Sequence, residues 1–243
     1  MPLLEKLIAA LPEGKVREAR VGYFTTAVVS ELSGGAISCG LASTIRSGSC
    51  SGPARFSGRL KGMNVKELAQ LAVSGGGVEA SLGMAAINSA LPENTYEEIN
   101  AEELITERAV GKTAAIIGHF PFTQRVRQKA GKLWVFELNP KDATDIPADK
   151  MPELLPQADV VAISALTLVN RTFDGIIANC KKDAFKILLG PSAPLSEIVF
   201  EYGIDVVSGS KVADIPALLE HLSEGVNFKS LPGKRLVTMR KAI

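Results

Sequence analysis

The sequence predicts an α/β protein in which a small α+β unit is followed by a Rossmann-like, doubly wound parallel sheet. Two observations lead to this prediction. Residues 16–44 contain apolar runs interrupted by a Ser-Gly-Gly turn at 33–35, a pattern typical of an antiparallel meander. Beyond about residue 111, five short apolar runs recur with room for a helix between them, which is typical of successive β-α units. We therefore divide the chain into domains 1–105 and 106–243.

The first unit begins with an amphipathic helix, because apolar residues recur at helical spacing at Leu4, Leu7, Ile8 and Leu11. About three antiparallel strands follow within residues 16–44. Asn64 and Glu67 then have the spacing of a capping box, which predicts the start of a helix. A further helix follows glycines 75–77 and ends at Pro92. Its small residues permit very close packing against a neighbouring helix or sheet: Ala80, Ser81, Gly83, Ala85 and Ala86.

The second unit is connected to the first through a short helix within residues 102–111. Its five parallel strands correspond to the apolar runs 113–118, 132–138, 159–164, 185–190 and 204–209. Thr123 and Gly131 bracket one intervening helix, and Asp214 and Gly225 bracket another. The run 235–240 supplies a sixth strand.

The charge balance excludes some classes of partner. The chain has 27 Lys and Arg residues against 26 Asp and Glu residues, which leaves no excess charge for nucleic acid or an anionic membrane to attract. Glu5 and Lys6 interrupt the apolar start, and no later stretch reaches the roughly 18 apolar residues of a membrane span. Cys39, Cys50 and Cys180 form no CxxC pair and do not suggest a disulfide framework. We expect a cytoplasmic protein without membrane or nucleic-acid partners.

Two features of the sequence suggest known binding sites but lack residues that those sites require. Gly111-Lys112-Thr113 resembles the end of a phosphate-binding P-loop, but it precedes a strand instead of following one, and Thr106 occupies the position of the required glycine. The two histidines, His119 and His221, have no Cys or His partner at the spacing of zinc ligands. The sequence therefore assigns neither a metal site nor a particular cofactor.

The turn after the first parallel strand is the strongest candidate for a ligand site, since ligands bind at the carboxyl ends of strands where the strand order reverses. This turn reads Gly118, His119, Phe120, Pro121 and Phe122. Only its glycine keeps the usual glycine-rich pattern, so the two rings and the proline take the space of a diphosphate and disfavour a dinucleotide. Imidazole is the side chain that most often transfers protons in enzymes, so His119 is the candidate catalytic residue.

Two rings exposed on this turn would require a cover, which the first unit could provide. In the alternative interpretation, Phe120 and Phe122 are core residues and His119 is a surface histidine. Both interpretations stay open at this point.

Polar residues continue the same edge of the predicted sheet. Glu137 follows Gly118 by 19 residues, near the end of the second strand, where an acidic residue accepts the ribose hydroxyls of a nucleoside. The candidate substrate-binding residues after the third and fourth strands are Thr167, Asn170, Thr172, Gly190, Pro191 and Ser192. Together they predict a rim suited to a small polar ligand, although Asn170 or Thr172 could instead cap a helix. Asn88 of the first unit is expected to line the opposite wall.

The chain resembles the DUF364 family, which is associated with heavy-metal chelation. The part of the chain ahead of the DUF364 region resembles a DUF4213 domain. The resemblance covers nearly the whole chain and is carried by GHFPF (118–122), FELNP (136–140), ISALTLVNRTFD (163–174), GPSAPLSEIVFEYGID (190–205) and SLGMAAINSAL (81–91). It implies an enolase N-terminal-like α+β domain, then a Rossmann-like domain similar to methyltransferases, with the site in the cleft between them. Enolase holds its metal in a different domain, so the resemblance implies no enolase chemistry.

Three functions are compatible with these features. The first is an enzyme of chelator metabolism, condensing or hydrolytic, that acts on a pterin-, flavin- or siderophore-like compound, with His119 as general acid or base. The second is a non-catalytic protein that binds a metal-chelate complex by aromatic stacking. The third is an S-adenosylmethionine-dependent methyltransferase, which Glu137 favours and the turn at 118–122 disfavours. Because soft ligands are scarce, we expect a metal to bind through its chelator. The sequence leaves the substrate, the cofactor and a homo-oligomeric state open.

Overall fold

The computed structural model describes residues 1–46, 54–140 and 142–242, so Cys50 lies outside the described residues. It contains a three-stranded antiparallel sheet and a seven-stranded, mostly parallel sheet. This arrangement confirms the predicted fold class. The exact division of the chain at residue 105 stays a prediction.

The small sheet has the order β1-β2-β3 and both of its strand pairs are antiparallel. Its strands are β1 (Gly14–Val21), β2 (Thr25–Leu32) and β3 (Ile37–Ser43). The helices of this half are α1 (Leu3–Ala10), α2 (Val65–Ala69), α3 (Leu71–Ser74) and α4 (Val78–Ala90). Asn64 caps α2, because its side-chain oxygen accepts hydrogen bonds from the backbone N–H groups of Lys66 and Glu67. The N-terminal helix, the meander and both later helix starts are therefore predicted correctly.

Helix α4 approaches its neighbours so closely that backbone meets backbone. A Cβ atom added to Gly83 of α4 would lie 2.0 Å from the backbone nitrogen of Ala72. A Cβ added to Gly40 of β3 would lie 2.1 Å from the backbone nitrogen of Ser89. Only glycine fits at either position. The close packing inferred from the small residues of this helix is confirmed.

The large sheet has the order β10-β9-β8-β7-β4-β5-β6. Its strands are β4 (Thr113–Ile117), β5 (Lys132–Glu137), β6 (Asp145–Pro147), β7 (Val160–Ser164), β8 (Phe185–Leu189), β9 (Val206–Val212) and β10 (Lys234–Arg240). Strand β10 runs antiparallel to β9, and the other pairs are parallel. The strand order reverses between β4 and β7, which opens a crevice at their carboxyl ends. Strand β6 was not predicted, because it has three residues and ends in proline.

The helices of the second half are α5 (Ala101–Arg108), α6 (Thr123–Lys129), α7 (Met151–Leu154), α8 (Leu166–Val169), α9 (Phe173–Asn179) and α10 (Ile215–Ser223). Leu218 and Leu222 of α10 belong to the same buried apolar cluster as Val29 and Leu41 of the small sheet. The two halves therefore share part of one core. No helix in the part of the chain that the structure describes has the length and apolarity needed to cross a lipid bilayer.

We expect Gly83→Ala to destabilise the protein by about 1–3 kcal/mol, because its methyl group would collide with the backbone at Ala72. Helix propensity alone would predict that the substitution stabilises the protein, since it favours alanine over glycine by about 1 kcal/mol. Chemical denaturation of the two proteins measures the difference. Gly175→Ala in α9 is the matched control, since no atom lies within 4 Å of a Cβ added there, and it should stabilise the fold slightly. Equal stabilisation by both substitutions would contradict the close approach of α4.

The two described cysteines should react slowly with alkylating reagents. Burial raises the pKa of the Cys39 thiol to about 12 and that of the Cys180 thiol to about 11. In a Cys50→Ser variant at about pH 8, we expect iodoacetamide to label the native protein at least about 100-fold more slowly than the urea-unfolded chain, because the thiolate is the reactive form. Labelling should accelerate as the pH rises toward the higher thiol pKa values. Equal rates in the native and unfolded protein would contradict this burial.

Candidate functional site

A cavity of about 640 Å³ opens at the carboxyl ends of β4, β5 and β7, and we call it cavity A. It lies at the reversal of strand order, where doubly wound sheets bind ligands. Six of the residues predicted from the sequence line it: Gly118, His119, Glu137, Thr167, Asn170 and Thr172. All of its described lining residues fall between positions 117 and 179. The expectation that these residues face a cleft between the two halves is therefore wrong, because the cavity lies within the second half.

A histidine and a carboxylate are hydrogen-bonded at this cavity. The Nε2 atom of His119 lies 2.7 Å from Oδ1 of Asp145. The carboxylate is fully buried, whereas 42% of the histidine side chain is exposed. Because an ionised carboxylate can only accept, Nε2 carries the hydrogen and Nδ1 is left as the basic nitrogen. His119 is thus an oriented imidazole.

The loop before β6 holds this carboxylate in place. The other oxygen of Asp145, Oδ2, accepts a hydrogen bond of 2.9 Å from the backbone N–H of Asp142. Hydrogen bonds from Thr144 hold the pKa of the Asp142 carboxyl below its usual range, because they stabilise its charged form. Both oxygens of the buried carboxylate are therefore engaged, and its orientation toward His119 is fixed.

Gly118 brings the ends of β4 and β7 together. Its φ angle of +98° lies in a region that favours glycine, and a Cβ there would lie 3.1 Å from Cβ of Ser164. Its N–H donates to the carbonyl of Phe136, at 2.9 Å. Glu137, the next residue along β5, consequently lines the same cavity. This agrees with its expected place beside the first β-α turn.

The polar residues after β7 bond mainly to one another. Thr167 donates its hydroxyl to the carbonyl of Ser164, at 2.7 Å. The side-chain oxygen of Asn170 accepts from both the N–H and the hydroxyl of Thr172, at 3.2 and 2.7 Å. Between them, Arg171 has a φ angle of +62° and donates to the carbonyl of Val73 in the first half, at 2.7 Å. The wall of cavity A is thus held by its own turn and tied to the first half.

Four predicted residues, two from the first turn and two that follow β8, line a different cavity. Phe120, Phe122, Gly190 and Pro191 line a separate cavity of about 720 Å³, which we call cavity B. Only 6% of Phe122 is exposed, and the ring stacks on Phe120 with the centroids 5.0 Å apart. The expectation of two exposed rings is wrong for Phe122, which belongs to one buried apolar cluster with Leu104 and Ile105 of α5, both within the predicted first domain. The rings also do not fill cavity A, so they do not exclude a diphosphate from it.

Three predicted residues line neither cavity. Pro121 is exposed on the turn. Ser192 is fully buried, and its hydroxyl accepts a hydrogen bond from the backbone N–H of Ser43, at 2.9 Å. Asn88 donates its amide to the carbonyl of Leu41, at 2.8 Å, so α4 uses it to hold its own sheet. We therefore leave these three residues out of the site.

Sequence reasoning missed three residues at cavity A. Asp145 is at the amino end of a strand too short to recognise. Ser164 directly follows the last apolar residue of the run 159–163, and its place at a strand end was the signal available. Arg171 carries no sequence signal for its positive φ angle. All three touch His119, Gly118 or the cavity wall and help to shape the site.

The donor set does not suit a resident metal ion. Among residues 1–46, 54–140 and 142–242, no three His, Cys, Asp or Glu side chains are grouped closely enough to hold one. His119 and Asp145 use their facing atoms on each other. The described side chains therefore do not form a closed metal site at cavity A.

The family model of DUF364, described as "Putative heavy-metal chelation", matches residues 100–241. The model of DUF4213, which has the same description, matches residues 4–91. The uncharacterized protein MJ0500 of Methanocaldococcus jannaschii is 33% identical over an alignment of 182 positions, which covers 70% of each chain.

Two crystal structures of DUF364 proteins with unknown function have a similar fold. The protein from Desulfitobacterium hafniense is 23% identical with a TM-score of 0.80, and the match covers 98% of this chain and 97% of that one. The protein from Pyrococcus horikoshii is 24% identical with a TM-score of 0.79, and the match covers 98% of both chains. The family models and the 33% identical relative show that the chain belongs to the DUF364 family, with a DUF4213 domain ahead of the DUF364 region.

Proposed function

We propose that the protein is an enzyme that acts on a small metal-chelating molecule bound in cavity A, with His119 as the residue that transfers a proton. The observation that carries this proposal is the 2.7 Å hydrogen bond between His119 Nε2 and the buried carboxylate of Asp145. A partly exposed imidazole that is oriented by a buried carboxylate is a recurring arrangement in general acid-base catalysis.

The pair has a defined role in each half of a proton-transfer cycle. With Nε2–H donating to Asp145, the Nδ1 atom of His119 accepts a proton from a hydroxyl, amine or water that attacks the substrate. The imidazolium that forms is stabilised by the adjacent carboxylate and then returns the proton to the leaving group. Condensing and hydrolytic reactions both need these two transfers, so the geometry supports either class.

The other side chains favour a ligand with hydroxyl or amine groups. Glu137 lines the same cavity and can accept hydrogen bonds from such groups. A volume of about 640 Å³ suits a molecule the size of a pterin, a flavin or a small siderophore. In this proposal a heavy metal enters as cargo of the chelator, because the described side chains lack a three-ligand group.

A second candidate is a methyltransferase that uses S-adenosylmethionine. It is favoured by one observation: Gly118 at the end of β4 and Glu137 at the end of β5 line one cavity, as in sheets that bind a nucleoside. Isothermal titration with S-adenosylhomocysteine distinguishes the two functions. Micromolar binding that Glu137→Gln weakens tenfold or more would favour the methyltransferase, since about 1.4 kcal/mol per tenfold change is the size of a hydrogen bond to a charged group.

We expect His119→Ala to lower turnover by about 100-fold or more, with a smaller effect on binding, because general acid-base catalysis contributes about 10²–10⁴-fold. The probes are a reduced pterin, riboflavin and 2,3-dihydroxybenzoate, each with and without Fe(III), with conversion followed by chromatography and mass spectrometry. Asp145→Asn should also lower kcat, because an amide does not stabilise the imidazolium.

The matched control is His221→Ala, since His221 lies on α10 with Nδ1 2.9 Å from the carbonyl of Ala217, outside both cavities. It should leave turnover unchanged. Binding of a probe without conversion, equal in wild type and His119→Ala, would support a non-catalytic binding protein instead. A His119→Ala protein that converts a probe at the wild-type rate would remove His119 from the mechanism.

We expect metal to stay with the protein only while its chelator is bound. The reason is again the absence of a three-ligand group among the described side chains. The protein is loaded with Fe(III) alone or with Fe(III) plus 2,3-dihydroxybenzoate. Elemental analysis before and after dialysis against EDTA then measures the iron retained by each sample. One equivalent of iron retained after dialysis without the catechol would contradict this expectation.

A further inference from the structure

We propose that cavity B is a second ligand site, which binds an uncharged, planar aromatic molecule against the ring of Phe120. The proposal does not depend on the function of cavity A. The turn at 118–122 separates the two cavities, so that His119 lines cavity A and its neighbour Phe120 lines cavity B. With about 720 Å³, cavity B falls within the size range of small-molecule sites in proteins.

The aromatic wall of cavity B is rigid. The rings of Phe120 and Phe122 are stacked at an interplanar angle of 20°, with their centroids 5.0 Å apart. Phe122 is anchored in a buried apolar cluster, and Phe120 is only partly buried and packs against that cluster. Because one neighbour fixes the plane of Phe120, its ring offers a preformed surface for an offset stack with a second aromatic system.

A glycine leaves room beside this ring. Gly190 follows β8 and lines cavity B with a φ angle of +123°. The nearest atom to a Cβ built there is the backbone nitrogen of Ala165, at 3.9 Å. At the end of β8, the backbone of Gly190 therefore faces cavity B with no side chain in between. A flat molecule can approach such a surface more closely than it could approach a side chain.

The charged groups in the wall of cavity B are already paired. Arg235 forms an ion pair with Glu98. Oε1 of Glu102 lies 2.5 Å from Arg125 but has no hydrogen-bond partner among the described residues, so this ion pair rests on the attraction of the two charges alone. A charged ligand would have to compete with these partners. The lining therefore favours a ligand without a formal charge.

The uncharged polar groups are engaged as well. Asn100 caps α5 with its side-chain oxygen and donates its amide to Glu103, at 3.1 Å. The hydroxyl of Ser208 is hydrogen-bonded to that of Thr238, at 3.1 Å. The rest of the wall is aromatic and aliphatic surface. It extends to Leu236, an aliphatic side chain that is 63% exposed. This combination selects an aromatic ring system.

Lumichrome, an uncharged tricyclic heteroaromatic compound, is a suitable probe. We expect saturable binding of one molecule per chain in a fluorescence titration. Phe120→Leu keeps the apolar volume and removes the ring, so it should weaken binding by about three- to tenfold, as expected for the loss of one aromatic stack. Thermal unfolding of the variant checks that the fold is retained.

A second variant avoids the core. Leu236→Asp places a carboxylate at the exposed edge of cavity B and should weaken lumichrome binding by about tenfold or more, because the ligand would then lie beside an unpaired charge. Ile37→Asp is its matched control, since Ile37 is a strand residue that is 55% exposed and lines neither cavity. It should leave the affinity unchanged.

Gly175→Trp separates this inference from the proposal for cavity A, because Gly175 lines cavity A and a Cβ built there meets no atom within 4 Å, so that the indole takes up space in that cavity. If lumichrome binds in cavity B, its affinity is the same in wild type and Gly175→Trp. Loss of binding in Gly175→Trp, with full affinity in Phe120→Leu and Leu236→Asp, would place the probe in cavity A and overturn the second site. No saturable binding, or equal affinity in Leu236→Asp and Ile37→Asp, would also overturn it.

Discussion

Within the large sheet, β5 lies on one side of β4 and β7 lies on the other side, so the strand order reverses at β4. This reversal creates the candidate site. Strand β4 pairs in parallel with both neighbours, so the segments that follow the three strands diverge from one edge. Gly118 lets the ends of β4 and β7 lie close together, because a Cβ there would lie 3.1 Å from Cβ of Ser164. Cavity A lies where the segments separate, and its polar residues come from the three strand ends.

The short strand β6 adds the group that gives the cavity its chemistry. It extends the sheet beyond β5 and brings Asp145 within 2.7 Å of His119, 26 residues earlier in the chain. A buried carboxylate is costly to maintain unless its oxygens are paired. Here both oxygens are hydrogen-bonded, one to the imidazole and one to the backbone of Asp142. The same turn that carries His119 presents Phe120 to cavity B, so two different surfaces arise from adjacent residues.

The sequence was sufficient to predict the described strands other than β6, because apolar runs and turn residues determine them locally. It also predicted which strand ends carry polar groups, and six of those residues line one cavity. Side-chain direction was harder to predict, since neighbours on a turn diverge, and the structure places Phe120 and Phe122 away from His119. Asn88 lines neither cavity A nor cavity B, and its amide donates to the carbonyl of Leu41 in its own half; a helix face toward its own sheet looks the same in the sequence as one toward a ligand. Asp145 could not be found, since its partner is known only from the packing of β6.

The proposed proton transfer depends most on which nitrogen of the His119 ring carries the hydrogen, and ¹⁵N-resolved NMR of the imidazole nitrogens measures this directly. The chain has only two histidines, so the spectrum of a His221→Gln variant assigns His119. In the neutral form we expect Nε2 to carry the hydrogen and Nδ1 to be unprotonated, and Asp145→Asn should remove this preference or reduce it. A neutral His119 with the hydrogen on Nδ1, unchanged by Asp145→Asn, would contradict the proposed role of the pair.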